Sequence, residues 1–310
     1  MHMQNATVRI ASVASQTMNP PSVTRRQALI TTLSAAIACQ TRTLAAADAG
    51  AKLKLSVCRG FGKIPLDEFC EIAKGMGFES IELLEPPDYA TVLKHGLQCA
   101  MGRFTSKLLP DSHINCGWSH PEFHEVLIPG YEELIRKTAD AGFRKVICMA
   151  GQRKGMDDKI GIANCVAGLS RLMPLCEKVG ITMCMELLNS KINHPDYMAD
   201  NSAFGVALCE KLGSPHFRLL FDIYHMQIME GNIIASIREH GKYFAHYHAA
   251  GVPGRHEIDD TQELNYAAIV RALLETGYSD YFGMEFSPTR ADKLSSLRDA
   301  ARICSPDATR

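Results

Sequence analysis

Residues 179–189 read Val-Gly-Ile-Thr-Met-Cys-Met-Glu-Leu-Leu-Asn, and this stretch contains the repeating unit of the chain. An apolar helical pattern ends at Gly180, and a short apolar strand follows over Ile181–Leu187. Glycine is favoured at such a helix end because the left-handed backbone there is costly for a residue that carries a Cβ atom. A helix, a glycine and a buried strand that ends near a carboxylate, Glu186, form one unit of an alternating α/β chain.

The same unit recurs from Leu53 onward. Eight apolar or β-branched runs are predicted strands: Leu53–Cys58, Glu79–Leu84, Leu97–Met101, Lys145–Ala150, Ile181–Leu187, Phe217–Asp222, Tyr243–His248 and Tyr281–Phe286. Apolar residues at three-to-four spacing predict the intervening helices: Pro65–Lys74, Pro87–His95, Pro121–Ala141, Ile160–Val179, Asn201–Leu212, Met229–Glu239, Tyr266–Glu275 and Asp292–Ile303. Eight units in roughly 260 residues match a closed (β/α)8 TIM barrel. An open doubly wound sheet is the alternative, although no GxGxxG turn follows the first strand. We expect one catalytic domain over residues 51–310.

Composition limits the possible functions of the chain. Its 310 residues are 46% hydrophobic and 22% charged, which is typical of a globular protein with a sizeable core. The formal net charge is −1, and the lysines and arginines are scattered rather than clustered. A nucleic acid partner is therefore not expected, because phosphate backbones select basic surfaces. Composition does not determine whether the protein forms a homo-oligomer.

The first 50 residues differ from the rest and predict an export signal with a disordered segment. Paired arginines, Arg25 and Arg26, precede an apolar run over Ala28–Ala38, and Ala45–Ala49 supplies small residues suited to cleavage. This layout resembles a twin-arginine signal and predicts a periplasmic or exported protein. The apolar run is too short for a membrane span. Cys39 could carry a lipid anchor, and an unstructured cytoplasmic tail is the alternative interpretation.

The eleven cysteines are expected to be reduced. Most of them fall within predicted strands or on apolar helix faces, where a free thiol behaves as a small hydrophobic group. No CxxC pair is present. A protein exported after folding would fit a core that assembles with its thiols reduced.

Four late strands each deliver a metal-type ligand at their carboxyl ends: Glu186, Asp222, His248 and Glu285. Carboxyl ends of barrel strands share one mouth, where catalysis takes place. Side chains alternate between the barrel interior and the helices, so if these four face inward, their neighbours Met185, Phe221, Tyr247 and Met284 face the helices. Three carboxylates in one mouth repel each other unless a cation neutralises them. The oxygen-rich set predicts one divalent ion, Mn²⁺ or Mg²⁺.

Three segments carry a resemblance to a known family. Phe221-Asp222-Ile223-Tyr224-His225-Met226-Gln227, Gly251-Val252-Pro253-Gly254-Arg255-His256-Glu257 and Glu263-Leu264-Asn265-Tyr266 are similar to signature segments of the hydroxypyruvate isomerase family, within the xylose-isomerase-like TIM barrels. The resemblance implies that Glu186, Asp222, His248 and Glu285 bind the metal. It also implies that Glu186 and Glu285 take and return the substrate proton, and that His225 and Arg255 contact substrate oxygens. The expected reaction is aldose–ketose type isomerisation of hydroxypyruvate or a related small keto or sugar compound through an enediolate.

Two departures from that family keep alternatives open. Hydroxypyruvate isomerases often have Gln at the position of His248, and His there resembles the ketose 3-epimerases. Those epimerases have a second glutamate six residues after the first, where this chain has Ile192. The alternatives are thus a ketose 3-epimerase and a lyase or C-glycoside-cleaving enzyme on the same metal site. A metal-dependent nuclease resembling endonuclease IV would need more ligands and a basic surface. A non-catalytic exported sugar-binding barrel is the distant alternative.

Three further residues are candidate substrate contacts. Asn189 follows the fifth predicted strand, and His256 lies in the Gly/Pro-bounded loop after the seventh. Trp118, the only tryptophan, lies in the long loop after the third predicted strand. It is predicted to form an apolar wall of the pocket, and packing of the loop onto the barrel is the alternative.

Overall fold

The structure, a computed structural model, describes residues 53–305. Within them, seven parallel strands alternate with helices: β1 Lys54–Cys58, β2 Ser80–Glu82, β3 Lys145–Cys148, β4 Thr182–Leu187, β5 Phe217–Asp222, β6 Phe244–Ala249 and β7 Tyr281–Met284. Their order in the sheet is β2-β1-β7-β6-β5-β4-β3. Neighbouring strands are hydrogen-bonded in parallel, as expected of strands joined by helical crossovers.

The eighth position of the barrel is occupied by residues 98–102. Isolated parallel bridges join Ser80 to Gln98, Leu84 to Gly102 and Gly102 to Val146. These bridges connect β2 with β3 and close the ring. The predicted strand Leu97–Met101 is thus wrong as a regular strand, although it lies at the predicted place. The ladder is interrupted because the Ala100 N–H donates to Ser80 Oγ (2.8 Å) and not to a backbone carbonyl.

Ten α-helices connect the described strands. They are α1 Leu66–Gly75, α2 Tyr89–Lys94, α3 His124–Asp140, α4 Asp158–Leu169, α5 Met173–Val179, α6 Ser202–Leu212, α7 Ile223–Met229, α8 Ile233–His240, α9 Tyr266–Glu275 and α10 Lys293–Ile303. Short 3-10 turns cover Phe61–Lys63, Pro86–Asp88, Pro121–Phe123 and Gly241–Tyr243. Gly180 and Gly213 end α5 and α6 in the left-handed conformation, with φ values of 73° and 63°.

Two predicted helices are each divided into two. The predicted helix Ile160–Val179 breaks after Leu169, and α5 starts at Met173 with Pro174 in its first turn. Proline has no N–H to continue the preceding helix, whereas it fits the first turn of a new one. The predicted helix Met229–Glu239 is divided at Gly231 and Asn232, whose φ values are 65° and 49°. Such backbone angles are incompatible with a continuous right-handed helix.

The layer between the strands and the helices is apolar. The residues predicted to face the helices, Met185, Phe221, Tyr247 and Met284, are at most 1% exposed. The ten described cysteines are free and buried, as expected of thiols in apolar surroundings. The predicted signal residues, including Arg25, Arg26 and Cys39, lie outside the described residues. No described helix has both the length and the apolar character needed to cross a membrane.

Candidate active site

The four predicted ligands meet at one end of the barrel. Glu186 lies near the end of β4, Asp222 ends β5 and His248 lies near the end of β6, while Glu285 directly follows β7. One donor atom from each lies within 4.8 Å of the donor atoms of the other three. The structure therefore brings together side chains from four consecutive strands at the mouth where TIM barrels place their chemistry.

His248 is at the centre of this group. Its Nδ1 lies 2.7 Å from Glu285 Oε2 and 3.3 Å from Glu186 Oε1. The His248 side chain is 0% exposed and that of Glu186 is 6%, whereas that of Glu285 is 24% exposed. Glu285 thus faces the open side of the site.

The three carboxylates have unequal proton affinities. Burial, together with repulsion from Glu285 and Asp222, raises the pKa of Glu186 to about 7. Burial and the charge of Glu285 also raise the pKa of Asp222. Burial acts in the same direction on Glu285, but the positive charges of Arg255 and His248 outweigh it and lower that pKa to about 2. In the absence of a metal ion, the positive charges of Arg255 and His248 therefore do not fully offset the negative charges of the three carboxylates.

The donor set fits a small divalent cation. Metal–oxygen distances of about 2.1 Å put ligands on opposite sides of such an ion about 4.2 Å apart, so a small contraction of the group would suffice. Glu285 Oε2 is buried and forms no hydrogen bond of regular geometry with any described residue, although two cationic groups lie near it. An oxygen in that state is available as a ligand. Three carboxylates with one imidazole suit Mn²⁺ or Mg²⁺.

Arg255 neutralises the open side of the group. Its Nη2 lies 2.8 Å from Glu285 Oε2 and 3.5 Å from Asp222 Oδ2, and its guanidinium covers the ring of Tyr224. Arg255 has a φ of 61°, which is unusual for a residue with a side chain. The loop after β6 therefore holds this arginine at the mouth at some backbone cost, as expected of a functional position.

His225 presents a free N–H to the site. Its Nδ1 accepts a hydrogen bond from the backbone N–H of Asn189 (3.2 Å), and the Asn189 amide lies 2.6 Å away. The proton of the neutral ring is thus on Nε2, which is buried 3.7 Å from Asp222 Oδ2 and has no hydrogen-bond partner among the described residues. Burial and the neighbouring Arg255 hold the pKa of His225 well below its usual value. His225 is therefore a neutral donor.

The three further candidates make mainly structural contacts. Asn189 orients His225 and accepts the backbone N–H groups of Ile192 and Asn193 in its own loop. His256 Nδ1 pairs with the carbonyl oxygen of Ser287 (2.9 Å). Trp118 is 0% exposed and packs against Tyr131 and His124. The geometry of Trp118 thus matches the loop-packing alternative and not an exposed wall of the pocket.

Sequence reasoning missed Glu82, which ends β2 and is fully buried. Its Oε1 lies 2.8 Å from His248 Nε2, and its Oε2 lies 3.0 Å from His246 Nε2. His246 Nε2 also lies within hydrogen-bond distance of Glu82 Oε1, at 3.1 Å, so His246 is a hydrogen-bonded residue of the barrel interior. A carboxylate at the end of an otherwise apolar strand was the signal that could have identified Glu82.

A cavity of about 620 Å³ opens over Glu285 and Arg255. Its outer part carries the cations Arg59, Lys63 and Arg103, with Asp88 as the acidic neighbour. Arg103 is paired with Glu85 at 2.9 Å, whereas Arg59 forms no ion pair with a described residue and donates to the carbonyl oxygen of Ile64. The cavity beside the candidate metal centre therefore has an excess of positive charge.

Comparisons with known proteins agree with this geometry. A family model described as "Xylose isomerase-like TIM barrel" matches residues 70–304. Hydroxypyruvate isomerase of Escherichia coli is 26% identical over 238 residues, which cover 74% of this chain and 90% of that protein. The 2-oxo-tetronate isomerase of Cupriavidus necator is 27% identical over 235 residues, which cover 72% of this chain and 87% of that protein. These relatives confirm the resemblance to the hydroxypyruvate isomerase family.

Other relatives match over a shorter region, and solved structures share the fold. Proteins of Homo sapiens, Danio rerio and Mus musculus are 28–30% identical over 173 or 174 residues, and the chain spans 62–63% of their length. A crystal structure from Brucella melitensis, titled an AP endonuclease of family 2, superposes with a TM-score of 0.71 and 24% identity. That alignment covers 79% of this chain and 96% of the other. Identity at this level shows the fold alone, and it confirms the expected TIM barrel.

Proposed function

Since this chain belongs to the xylose isomerase-like TIM barrel family, we propose that it is a metal-dependent isomerase of a small hydroxy-keto acid such as hydroxypyruvate. The observation that carries the proposal is the convergence of Glu186, Asp222, His248 and Glu285 within 4.8 Å at the carboxyl ends of the strands. The names of the E. coli and C. necator relatives support the reaction class.

The charge of the cavity favours a keto acid over a neutral ketose. Arg59, Lys63 and Arg103 line its outer part, and Asp88 is the acidic neighbour. Arg59 is free of ion pairs with described residues and can meet a substrate carboxylate. Arginine binds carboxylates through charge-assisted hydrogen bonds, which are stronger than neutral ones. A neutral sugar would leave the positive charge of Arg59 without an anionic partner among the described residues.

Isomerisation requires a proton to move between adjacent carbons. In hydroxypyruvate the proton leaves the hydroxymethyl carbon and is added to the neighbouring carbonyl carbon, while the hydroxyl proton moves in the same direction, from the hydroxymethyl oxygen to the carbonyl oxygen. Glu186 and Glu285, on separate strands of the same mouth, act as the base and acid of the carbon transfer.

Two further side chains stabilise the negative charge that develops on the substrate. The Nε2–H of His225 has no other partner among the described residues, so it can donate to a substrate oxygen. Arg255 supplies a guanidinium on the open side. Glu186, Asp222, His248 and Glu285 would hold a divalent cation, which would supply further positive charge for the same purpose.

Solvent exchange tests the proposal. The protein, loaded with Mn²⁺ or Mg²⁺, is incubated in D₂O with hydroxypyruvate, 2-oxo-tetronate and a neutral ketose, and products are followed by proton NMR and mass. We expect deuterium at the carbon that receives the proton, with an aldehyde product from hydroxypyruvate and a ketone from 2-oxo-tetronate, each with an unchanged carbon skeleton. Glu186→Gln and Glu285→Gln should each lower the rate by about 10²–10⁴-fold, as for loss of a general acid or base.

A matched control and three contrary outcomes complete the test. The control is Glu239→Gln, which alters a carboxylate whose side chain is 74% exposed. We expect this variant to convert the substrate at the wild-type rate. Failure of every compound to exchange would refute the reaction class. Exchange at C3 of a ketose with inversion would identify a 3-epimerase, and a product of lower mass would identify a lyase.

A further inference from the structure

Glu82 is a buried carboxylate outside the group that the proposed reaction uses. It ends β2, on the far side of β1 and β7 from the strands that carry Glu186 and Asp222. Its side chain is 0% exposed. A carboxylate buried to this extent is costly unless it is paired and hydrogen-bonded, so its contacts indicate why it is there.

The contacts of Glu82 keep a proton on Nε2 of His248. His248 Nε2 lies 2.8 Å from Glu82 Oε1, and His246 Nε2 lies 3.1 Å from the same oxygen. An ionised carboxylate only accepts hydrogen bonds, so both imidazoles donate their Nε2–H to it. The other nitrogen of His248, Nδ1, then faces Glu186 and Glu285 on the candidate metal side.

Gly283 makes room for this pair. It lies in β7 directly opposite His248 in the strand register. A Cβ atom at Gly283 would lie 2.1 Å from Glu82 Oε1 and 2.8 Å from His248 Cδ2. Only glycine leaves space for the carboxylate to reach the imidazole, and this requirement is independent of the hydrogen bonds.

We infer that Glu82 is a positioning residue of the candidate metal centre, which holds His248 with its Nδ1 lone pair directed at the ion. This inference rests on the proposed metal site but not on the substrate or the reaction. Carboxylates that accept the second N–H of a metal-binding histidine fix its tautomer and ring orientation, and their loss lowers metal affinity about 10–100-fold.

The competing interpretation is that Glu82 is itself a ligand. Donor atoms of Cys58, Glu82 and His248 also lie within 4.8 Å of one another. An ion at that place would need the lone pair of His248 Nε2, and that nitrogen cannot donate its proton to Glu82 at the same time. The number of ions bound therefore separates a positioning role from a ligand role.

Calorimetric metal titration of the metal-free full chain, with Mn²⁺ and with Mg²⁺, tests the inference without any turnover. For the wild type we expect one ion per chain, and for Glu82→Gln still one ion with a Kd about 10–100-fold higher. Glu82→Asp should recover part of the affinity if the shortened side chain still reaches His248. Ser56→Ala is the matched control, because Ser56 is equally buried in β1 but bonds to Ser80, and it should keep the wild-type Kd.

Nitrogen NMR of the Mg²⁺-loaded protein with ¹⁵N-labelled histidine shows which nitrogen of His248 carries the proton. A general loss of stability would not change this result. We expect His248 to be protonated at Nε2 in the wild type. A wild-type His248 protonated at Nδ1 would overturn the inference, and so would an unchanged Kd in folded Glu82→Gln. Two ions in the wild type and one in Glu82→Gln would make Glu82 a ligand. Metal binding without turnover would refute only the proposed reaction, whereas a wild type that binds no ion would refute both.

Discussion

Arg59 is the residue that best separates an acidic substrate from a neutral one. It lines the cavity over Glu285, and its Nη1 donates to the backbone carbonyl of Ile64 at 3.0 Å. This bond orients the guanidinium but does not neutralise it. Arg103, in contrast, shares its charge with Glu85. A substrate carboxylate would therefore gain more from Arg59 than from Arg103.

We predict that Arg59→Gln raises KM for hydroxypyruvate about 10–100-fold, because a hydrogen bond to a charged group contributes about 1.5–3 kcal/mol. Turnover of a neutral ketose, where it occurs, should be unaffected. Steady-state kinetics on both compounds check this prediction. Arg171→Gln, at an exposed arginine outside the cavity, serves as the control. Equal KM values for hydroxypyruvate in Arg59→Gln and the wild type would contradict it.

At the scale of elements, the loop before α3 is seated on the end of β3 through its backbone. Trp118 N–H donates to the carbonyl oxygen of Met149 and Ser119 N–H to that of Ala150, at 3.0 and 2.8 Å. Gly117 lies so close that a Cβ there would be 2.3 Å from the carbonyl carbon of Ala150. Backbone atoms at this distance cannot move aside as the end of a side chain can.

We therefore expect Gly117→Ala to lower the free energy of unfolding by roughly 2–4 kcal/mol through overpacking and loss of the loop contacts. Urea unfolding followed by circular dichroism measures the change. Gly75→Ala is the comparison, since Gly75 ends α1 with no atom within 4 Å of the added Cβ. That variant should be neutral or stabilised by up to about 1 kcal/mol, and a similar loss in both variants would contradict the argument.

Glu257 joins the loop after β6 to the start of α10. Its carboxylate accepts the backbone N–H groups of Thr289 and Arg290 and the hydroxyls of Thr289 and Ser296. Burial alone would raise its pKa, but the N–H groups of Arg290 and Thr289 outweigh burial and lower the pKa to about 2. A lowered carboxyl pKa stabilises the fold above the unfolded value of 4.5, and this contribution is lost as pH falls toward 2.

Glu257→Gln should thus be destabilised by about 1.5–3 kcal/mol at pH 7, because the neutral amide loses charge-assisted bonds and directs an N–H at other donors. The difference from the wild type should shrink steadily between pH 4.5 and pH 2. Parallel urea titrations across that range measure it. A difference that stays constant with pH would show that the ionised carboxylate is not what holds the loop.

At the scale of the whole molecule, the candidate metal centre ties together strands that are far apart in sequence. Glu186 and Glu285 lie on either side of β5 and β6 in the sheet. Ion binding to the folded chain would stabilise it by about 2.7 kcal/mol at a concentration 100 times the Kd. For a folded unit of this size, about 2–4 °C of Tm accompanies each kcal/mol.

We predict that saturating Mn²⁺ or Mg²⁺ raises the Tm of the metal-free protein by about 5–10 °C, and that EDTA reverses the shift. Differential scanning calorimetry measures both. Asp222→Asn should remove most of the shift, since Asp222 is buried among the ligands. An equal shift in that variant would place the ion elsewhere.

The sequence by itself determined the alternation of strands and helices and the set of inward-facing candidate ligands. Both depend on local patterns in the sequence. Side chains on one face recur every two residues in a strand and about every 3.6 residues in a helix, and glycine is favoured where a helix ends. The positions of Glu186, Asp222 and His248 at strand ends followed from that periodicity alone. The divided helices were missed because apolar spacing continues across a break that Pro174 or Gly231 produces.

Only the tertiary structure decided the contacts of Glu82 and Trp118 and the closure of the ring at residues 98–102. Glu82 meets His246 and His248 across 164 and 166 positions of sequence, and no local pattern encodes such a pairing. Trp118 is a buried packing residue because Tyr131 of α3 packs against its ring. A sequence specifies which face of a strand points inward, whereas the distance between two inward-facing side chains is set by how the strands close into a barrel.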